Sequence, residues 1–263
     1  MTMGAKMAPD KTARGARVIL GVTCFADADA SLEIAVLLAK VIGLDIQGVL
    51  VTDEAAVVSA NIPGAQVIDY GGGGVRNVTS KTMIEAYETD ARMFRKRLTS
   101  AAEQASIKSD FQVAHGKLAQ ALLHWAEAGD LVVYGFRRPI HRGDAVILIM
   151  GDQTTDESLL PMARRLAVAL GERLVVLLAG KQKNGPQIQK PIDGLEIRYF
   201  DGASLIENLN RMSPSTVIAD PELLSNVPIE RLVDIARCPV IVPLPSNRAK
   251  AVPNESEKTR ARS

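Results

Sequence analysis

Apolar residues along this chain follow two alternating rhythms. Short apolar-rich runs, several of them near-solid blocks of Val, Ile and Leu, stand at 18–23, 46–51, 110–115, 130–134, 145–150, 173–179, 195–200, 215–219 and 238–244. Such blocks, bounded by polar turns, predict strands buried on both faces. Between them, apolar positions recur every three to four residues over 29–42, 117–128, 156–170, 203–212 and a stretch opened by Pro228, which predicts helices. The longest stripe is Ile84, Tyr87, Ala91, Phe94, Leu98, Ala101 and Ala105, a helix expected to pack on a sheet. Thr82 and Glu85 offer it a capping box. Strands alternating with helices imply right-handed crossovers and parallel sheets, so the fold class is α/β.

The rhythm repeats. Val18-Ile19-Leu20 recurs as Val146-Ile147-Leu148, and the same spacing of 128 relates Ala35 to Ala163, Gly43 to Gly171 and Leu50 to Leu178. Gly43 and Gly171 stand where a helix end needs a left-handed residue. A second match, at a spacing of 86, relates Gly116 to Gly202, Leu123 to Leu209 and Leu131-Val132 to Val217-Ile218. The expected organisation is two tandem, open, mostly parallel units. They are a first unit over 17–143 with an insert at 53–80, and a shortened second unit over 144–245. Tails at 1–16 and 246–263 are expected to be disordered. Each unit should hold a ligand beyond its strand carboxyl ends, near the topological switch.

Composition narrows the partners. Apolar residues make up 47% and aromatics only 4%, so the core is aliphatic. Net charge is +1, but residues 1–17 and 246–263 each carry +3, leaving −5 between them. An acidic body argues against a nucleic-acid-binding face. No apolar run approaches the roughly 20 residues of a membrane span. No apolar signal core precedes Arg17, so a cytoplasmic protein is expected. Cys24 follows a strand and Cys238 precedes one, which in a parallel sheet puts them at opposite ends, beyond disulfide reach.

Taken together, VILIMGDQTTDESLLPMARRLAVALGERLVVLLA (146–179), the Cys238-Pro239-Val240-Ile241-Val242 strand and Leu131-Val132-Val133-Tyr134-Gly135 resemble the universal stress protein family in a tandem arrangement. The stretch LVTDEAAVVSANIPGAQV (50–67) is similar to an insert of uncharacterised proteobacterial relatives. The resemblance covers roughly 17–245 and implies a nucleotide-binding topology like that of the adenine nucleotide α-hydrolases. It also implies an adenosine-phosphate site with an Asp ending the first strand and a glycine-rich loop after the fourth. The Asp position falls on Thr23 in the first unit and on Gly151 in the second, with Asp152 beside it. Neither unit has the loop. Gly135 is followed by Phe136, Arg137, Arg138 and Pro139, and the second unit has Ala219-Asp220-Pro221-Glu222, whose carboxylates would repel a triphosphate.

The expectation is therefore a non-catalytic binding or regulatory protein with degenerate nucleotide sites and no cofactor. It would act through protein contacts, including a possible homodimer through CPVIVPL (238–244), or through another small ligand. The alternative is an ATP- or AMP-binding switch with a rebuilt pocket in the first unit. Candidate ligand contacts are Thr23, Asp27, Gly135, Arg137, Arg138 and Asp152. Arg137, Arg138, His141 and Arg142 form either a side-chain anion site or a solvated connector. Asp29, Thr155 or Asp156 would cap the helix that follows. Gly71–Gly74 lacks the Lys-Ser/Thr of a P-loop and reads as a hinge. His115, His124 and His141 share no metal spacing, Trp125 reads as a core or interface residue, and no Gly-x-Ser-x-Gly elbow is present.

Overall fold

The computed structural model describes residues 15–60, 66–68, 75–77, 79–136, 143–151, 158–179, 195–200, 204–225 and 227–245. The first half runs β1 (Arg17–Val22), α1 (Phe25–Ile42), β2 (Asp45–Thr52), α2 (Glu54–Ser59), β3 (Gln66–Ile68), β4 (Val75–Asn77), α3 (Ser80–Ala105), β5 (Ser109–His115), α4 (Leu118–Trp125) and β6 (Leu131–Tyr134). The second half runs β7 (Ala145–Met150), α5 (Leu159–Leu170), β8 (Arg173–Ala179), β9 (Leu195–Phe200), α6 (Ser204–Met212), β10 (Thr216–Ala219), a 3-10 turn (Pro221–Ser225), α7 (Ile229–Ala236) and β11 (Val240–Pro243).

The α/β class holds, but the two expected sheets are one. Nine strands join in the order β5-β2-β1-β6-β11-β10-β7-β8-β9. Every pairing is parallel except β11 with β6, where Val240 faces Tyr134 and Pro243 faces Leu131. Each half therefore keeps its own parallel order, β5-β2-β1-β6 and β9-β8-β7-β10, and the two run in opposite directions across a single antiparallel seam. Helices α1, α3 and α5 pack on one face around Leu20, Leu32, Leu50 and Leu148. Helices α4, α6 and α7 pack on the other around Ile19, Leu122, Ile147 and Leu232. Aliphatic blocks form the strands because both faces are covered, so no polar alternation is needed.

The seam decides two further matters. β11 lies between β10 and β6, so both its edges are hydrogen-bonded within the chain. It supplies the strand that the first half lacks, and it is not available as an interface between copies. It also reverses the cysteine reasoning, because the amino end of β11 lies at the carboxyl end of β6, on the same side of the sheet as Cys24. Both cysteines nonetheless remain unbridged, and Cys238 is buried.

Several local expectations shift. Helix α1 begins at Phe25 rather than at 29, because Asp90 of α3 accepts a hydrogen bond from the Phe25 amide at 3.1 Å and caps the helix from afar. Asp29 is therefore inside α1 and pairs with Arg97 at 3.3 Å instead of capping. The α3 capping box forms one turn earlier than expected, between Thr79 and Thr82. The insert contains α2 and the β3–β4 ribbon, neither of which the apolar rhythm indicated. Gly43 and Gly171 end α1 and α5 with φ of 74° and 70°, as expected of left-handed caps. The second repeat spacing is 85 rather than 86, since Leu131 pairs with Val18 and Thr216 with Val146. Gly71–Gly74, Thr155, Asp156, His141 and Arg142 lie outside the described residues. Among the described residues no helix is long and apolar enough to cross a membrane.

Candidate functional site

In the first half the chain leaves β1 toward β2 and returns to β6 on the other side. The crevice beyond the carboxyl ends of β1 and β6 is thus a topological switch point, the usual ligand position in open α/β sheets. A cavity of ≈ 280 Å³ opens there. Thr23 follows β1, Asp27 comes from the first turn of α1, and Tyr134, Gly135 and Phe136 come from the end of β6. Leu118 and Ala119 of α4 form one wall, and Ile229, Glu230, Val233 and Asp234 of α7 form the opposite wall. The structure therefore brings together three sequence-derived candidates, Thr23, Asp27 and Gly135. Arg137, Arg138 and Asp152 lie outside the described residues.

The polar groups around this cavity are engaged with one another. The Thr23 hydroxyl donates to Asp27 Oδ2 at 2.9 Å, and Asp27 is only 8% exposed. The Gly135 amide donates to the Gly21 carbonyl at 2.8 Å. The Phe136 amide donates to Ser31 Oγ at 3.1 Å, and Ser31 is fully buried inside α1. Glycine is required at 135, since a Cβ there would lie 2.6 Å from Val22 Cγ1 and 2.9 Å from the Gly21 carbonyl oxygen. The two amides that follow β6 are thus directed into the protein, and among the described residues the lining carries three carboxylates and no Lys, Arg or His.

Acidity shifts follow from burial. The Cys24 thiol is pushed up to about 11, chiefly by desolvation and then by the charge and hydrogen bonding of Asp27, with Asp90 adding to it. The Tyr134 phenol is pushed up to about 12 by burial, with Glu230 adding to the shift. Both groups stay protonated at neutral pH, so neither is an activated nucleophile or base.

The second half has the same switch point between β7 and β10, filled differently. By strand register Gly135 corresponds to Asp220, and Thr23 to Gly151. Asp220 is 3% exposed; its Oδ2 accepts from the Gly151 amide at 3.3 Å and its Oδ1 from the Glu222 amide at 3.0 Å. Its own amide donates to the Ile149 carbonyl, matching the Gly135–Gly21 bond. The chain places its own carboxylate on backbone amides that would otherwise face an anion.

Sequence reasoning missed Glu230 and Asp234, because nothing local indicates that α7 of the second half covers the first half's switch point. Ser31 and Asp90 were missed too, each being an ordinary helical residue until the partner amide is known. His115 Nδ1 contacts the Thr52 hydroxyl at 2.7 Å and lies 3.8 Å from Glu54, and no cluster suited to a metal occurs among the described residues. Trp125 is partly buried, and its carbonyl accepts from Arg17 at 2.8 Å.

No protein-family model matches the chain, and no curated protein does. Solved structures that resemble it include a universal stress protein from Archaeoglobus fulgidus, 11% identical, with a TM-score of 0.49 over 88% of this chain and 97% of that one. Another is the cytoplasmic domain of a prokaryotic cation chloride cotransporter, 10% identical, with a TM-score of 0.42 over 88% and 95%. A third is a functionally unknown protein from Pseudomonas aeruginosa, 9% identical, with a TM-score of 0.41 over 88% and 93%. All three TM-scores lie below 0.5, and none of these likenesses bears on function.

Proposed function

We propose that the protein is a non-catalytic, universal-stress-type binding or regulatory protein, a tandem pair of units whose nucleotide sites are degenerate. It acts through a small ligand without a polyphosphate in the first-half cavity, or through contacts with another protein. The observation that carries this reading is the fate of the backbone amides after the fourth strand of each half. Phosphate cradles work by presenting such amides to the ligand. Here Gly135 and Phe136 give theirs to Gly21 and Ser31, and in the second half Asp220 gives its own to Ile149 while Glu222 gives its own to the Asp220 carboxylate. Asp27, Glu230 and Asp234 around the cavity add repulsion toward an anion.

A second reading, an ATP- or AMP-binding switch, is favoured by the cavity's place at the β1–β6 switch point and by Thr23 at its mouth. Equilibrium dialysis with each nucleotide separates the two. No binding at millimolar ATP or AMP is the expected result, and micromolar binding would establish the switch instead. Mass spectrometry of natively purified protein should then reveal any retained molecule, expected to lack a phosphate chain.

A further inference from the structure

A second cavity, of ≈ 330 Å³, lies at the amino ends of β1, β2 and β5, away from the switch point. Arg17, Asp45, Gln47 and Asp110 line it. Strand register places all four on the sheet face that carries α4: Arg17 is level with Asp45, and Gln47 is level with Ile19 and Asp110. Helix α4 has eight residues, about 12 Å of helix, against about 26 Å of strand in β2. It ends at Trp125, and among the described residues no helix lies above this end of the face.

Gln47 forms the inner wall. It is 1% exposed, and neither its Nε2 nor its Oε1 has a hydrogen-bond partner. Buried polar side chains in folded proteins are paired almost without exception, because stripping water from a carboxamide without replacing its bonds is costly. A carboxamide offers a donor beside an acceptor. The exposed rim repeats that duality with Lys108, Asp45 and Asp110, where the Lys108 backbone amide donates to Asp45 Oδ1 at 3.4 Å and the Phe111 amide to Asp110 Oδ1 at 2.8 Å. The Arg17 guanidinium is already committed to Asp130 and to the Trp125 carbonyl.

The geometry points to a second ligand site here, for a small zwitterion of amino-acid size. Its carboxylate is held by Lys108 and Gln47 Nε2, and its ammonium by Gln47 Oε1 with Asp45 and Asp110. A dianion meets two carboxylates and an apolar guest leaves the carboxamide unpaired, so both are rejected. The site is independent of the reading proposed for the switch-point cavity, and either can fail alone.

Saturation-transfer NMR on the full chain tests it, with L-alanine as the probe and acetate and ethylamine as its separate halves. Alanine is expected to bind more tightly than either half. Gln47→Leu, which keeps the volume and removes both amide groups, should weaken it at least tenfold with an unchanged circular dichroism spectrum. Lys108→Met, at the exposed rim, should weaken it severalfold and serves where Gln47→Leu fails to fold. The proposal is overturned by absent transfer to alanine, by equal binding of acetate or ethylamine, or by an affinity indifferent to both substitutions.

Discussion

The two halves share one strand order, and they resolve the same switch point in opposite ways. In the first half Gly135 packs tightly on Val22 and Gly21, the adjacent amides turn inward to Gly21 and Ser31, and a cavity lies beneath α7. In the second half Asp220 stands at the equivalent place and puts its carboxylate on the Gly151 and Glu222 amides. Equivalent positions thus give the backbone amides beside them different acceptors in the two halves. The outer strands differ as well. Gly48 of β2 accepts Leu98 and Phe94 of α3, and a Cβ there would lie 2.6 Å from Leu98 Cδ2. The corresponding residue of β8 is Val176, where no counterpart of α3 exists among the described residues. Backbone topology is held in common, while occupancy of each face is set residue by residue.

Substitution can break that comparison. The largest effect is expected from Asp220→Ala, which removes the buried carboxylate that accepts from the Gly151 and Glu222 amides and should cost about 2–3 kcal/mol of stability, read from the urea midpoint. Asp220→Asn keeps one acceptor and should cost roughly half as much. Gly48→Val gives the first half the second half's residue and forces α3 off β2; overpacking of this kind costs about 1–3 kcal/mol. An unchanged thermal midpoint in Gly48→Val would mean that α3 is not seated on Gly48. Ser31→Ala removes the acceptor of the Phe136 amide and should cost about 1 kcal/mol. Hydrogen exchange at Phe136 should accelerate in that variant while exchange at Gly135 does not.

The smallest effect on stability concerns the thiols. Cys24 titrates near 11 in the fold against an ordinary 9, so the unfolded chain ionises first. Its contribution is fully present below pH 9 and is lost as pH rises from about 9 through about 11. Cys238, more deeply buried, is pushed further in the same direction. Alkylation of the native protein at pH 8 should therefore be slow at Cys24 and confined to unfolded molecules at Cys238. Asp27→Asn, by removing a neighbouring charge, should speed the reaction at Cys24 and leave Cys238 unaltered.

Much of the candidate site was legible before the fold was known. Thr23 and Gly135 are each placed by the end of a strand block, and Asp27 by the turn that follows one, which is why these three converge. Glu230 and Asp234 were not legible. They belong to α7, whose own apolar stripe of Ile229, Leu232 and Val233 indicates only that the helix packs on something. The start of α1 was misplaced for a related reason. Its cap, Asp90, is 65 residues away, so no local signal at Cys24 or Phe25 could reveal it.

The chain's own order of residues settled the nine strands of the main sheet, most of the helices and their left-handed glycine ends. These are short-range properties, governed by side-chain periodicity and backbone sterics. Only the tertiary structure decided that the halves merge into one sheet, that β11 joins β6 antiparallel, and that α7 therefore roofs the opposite half's crevice. An edge strand can pair with any compatible edge in either direction. The choice among edges depends on how whole layers of apolar surface are buried together, which no stretch of neighbouring residues specifies.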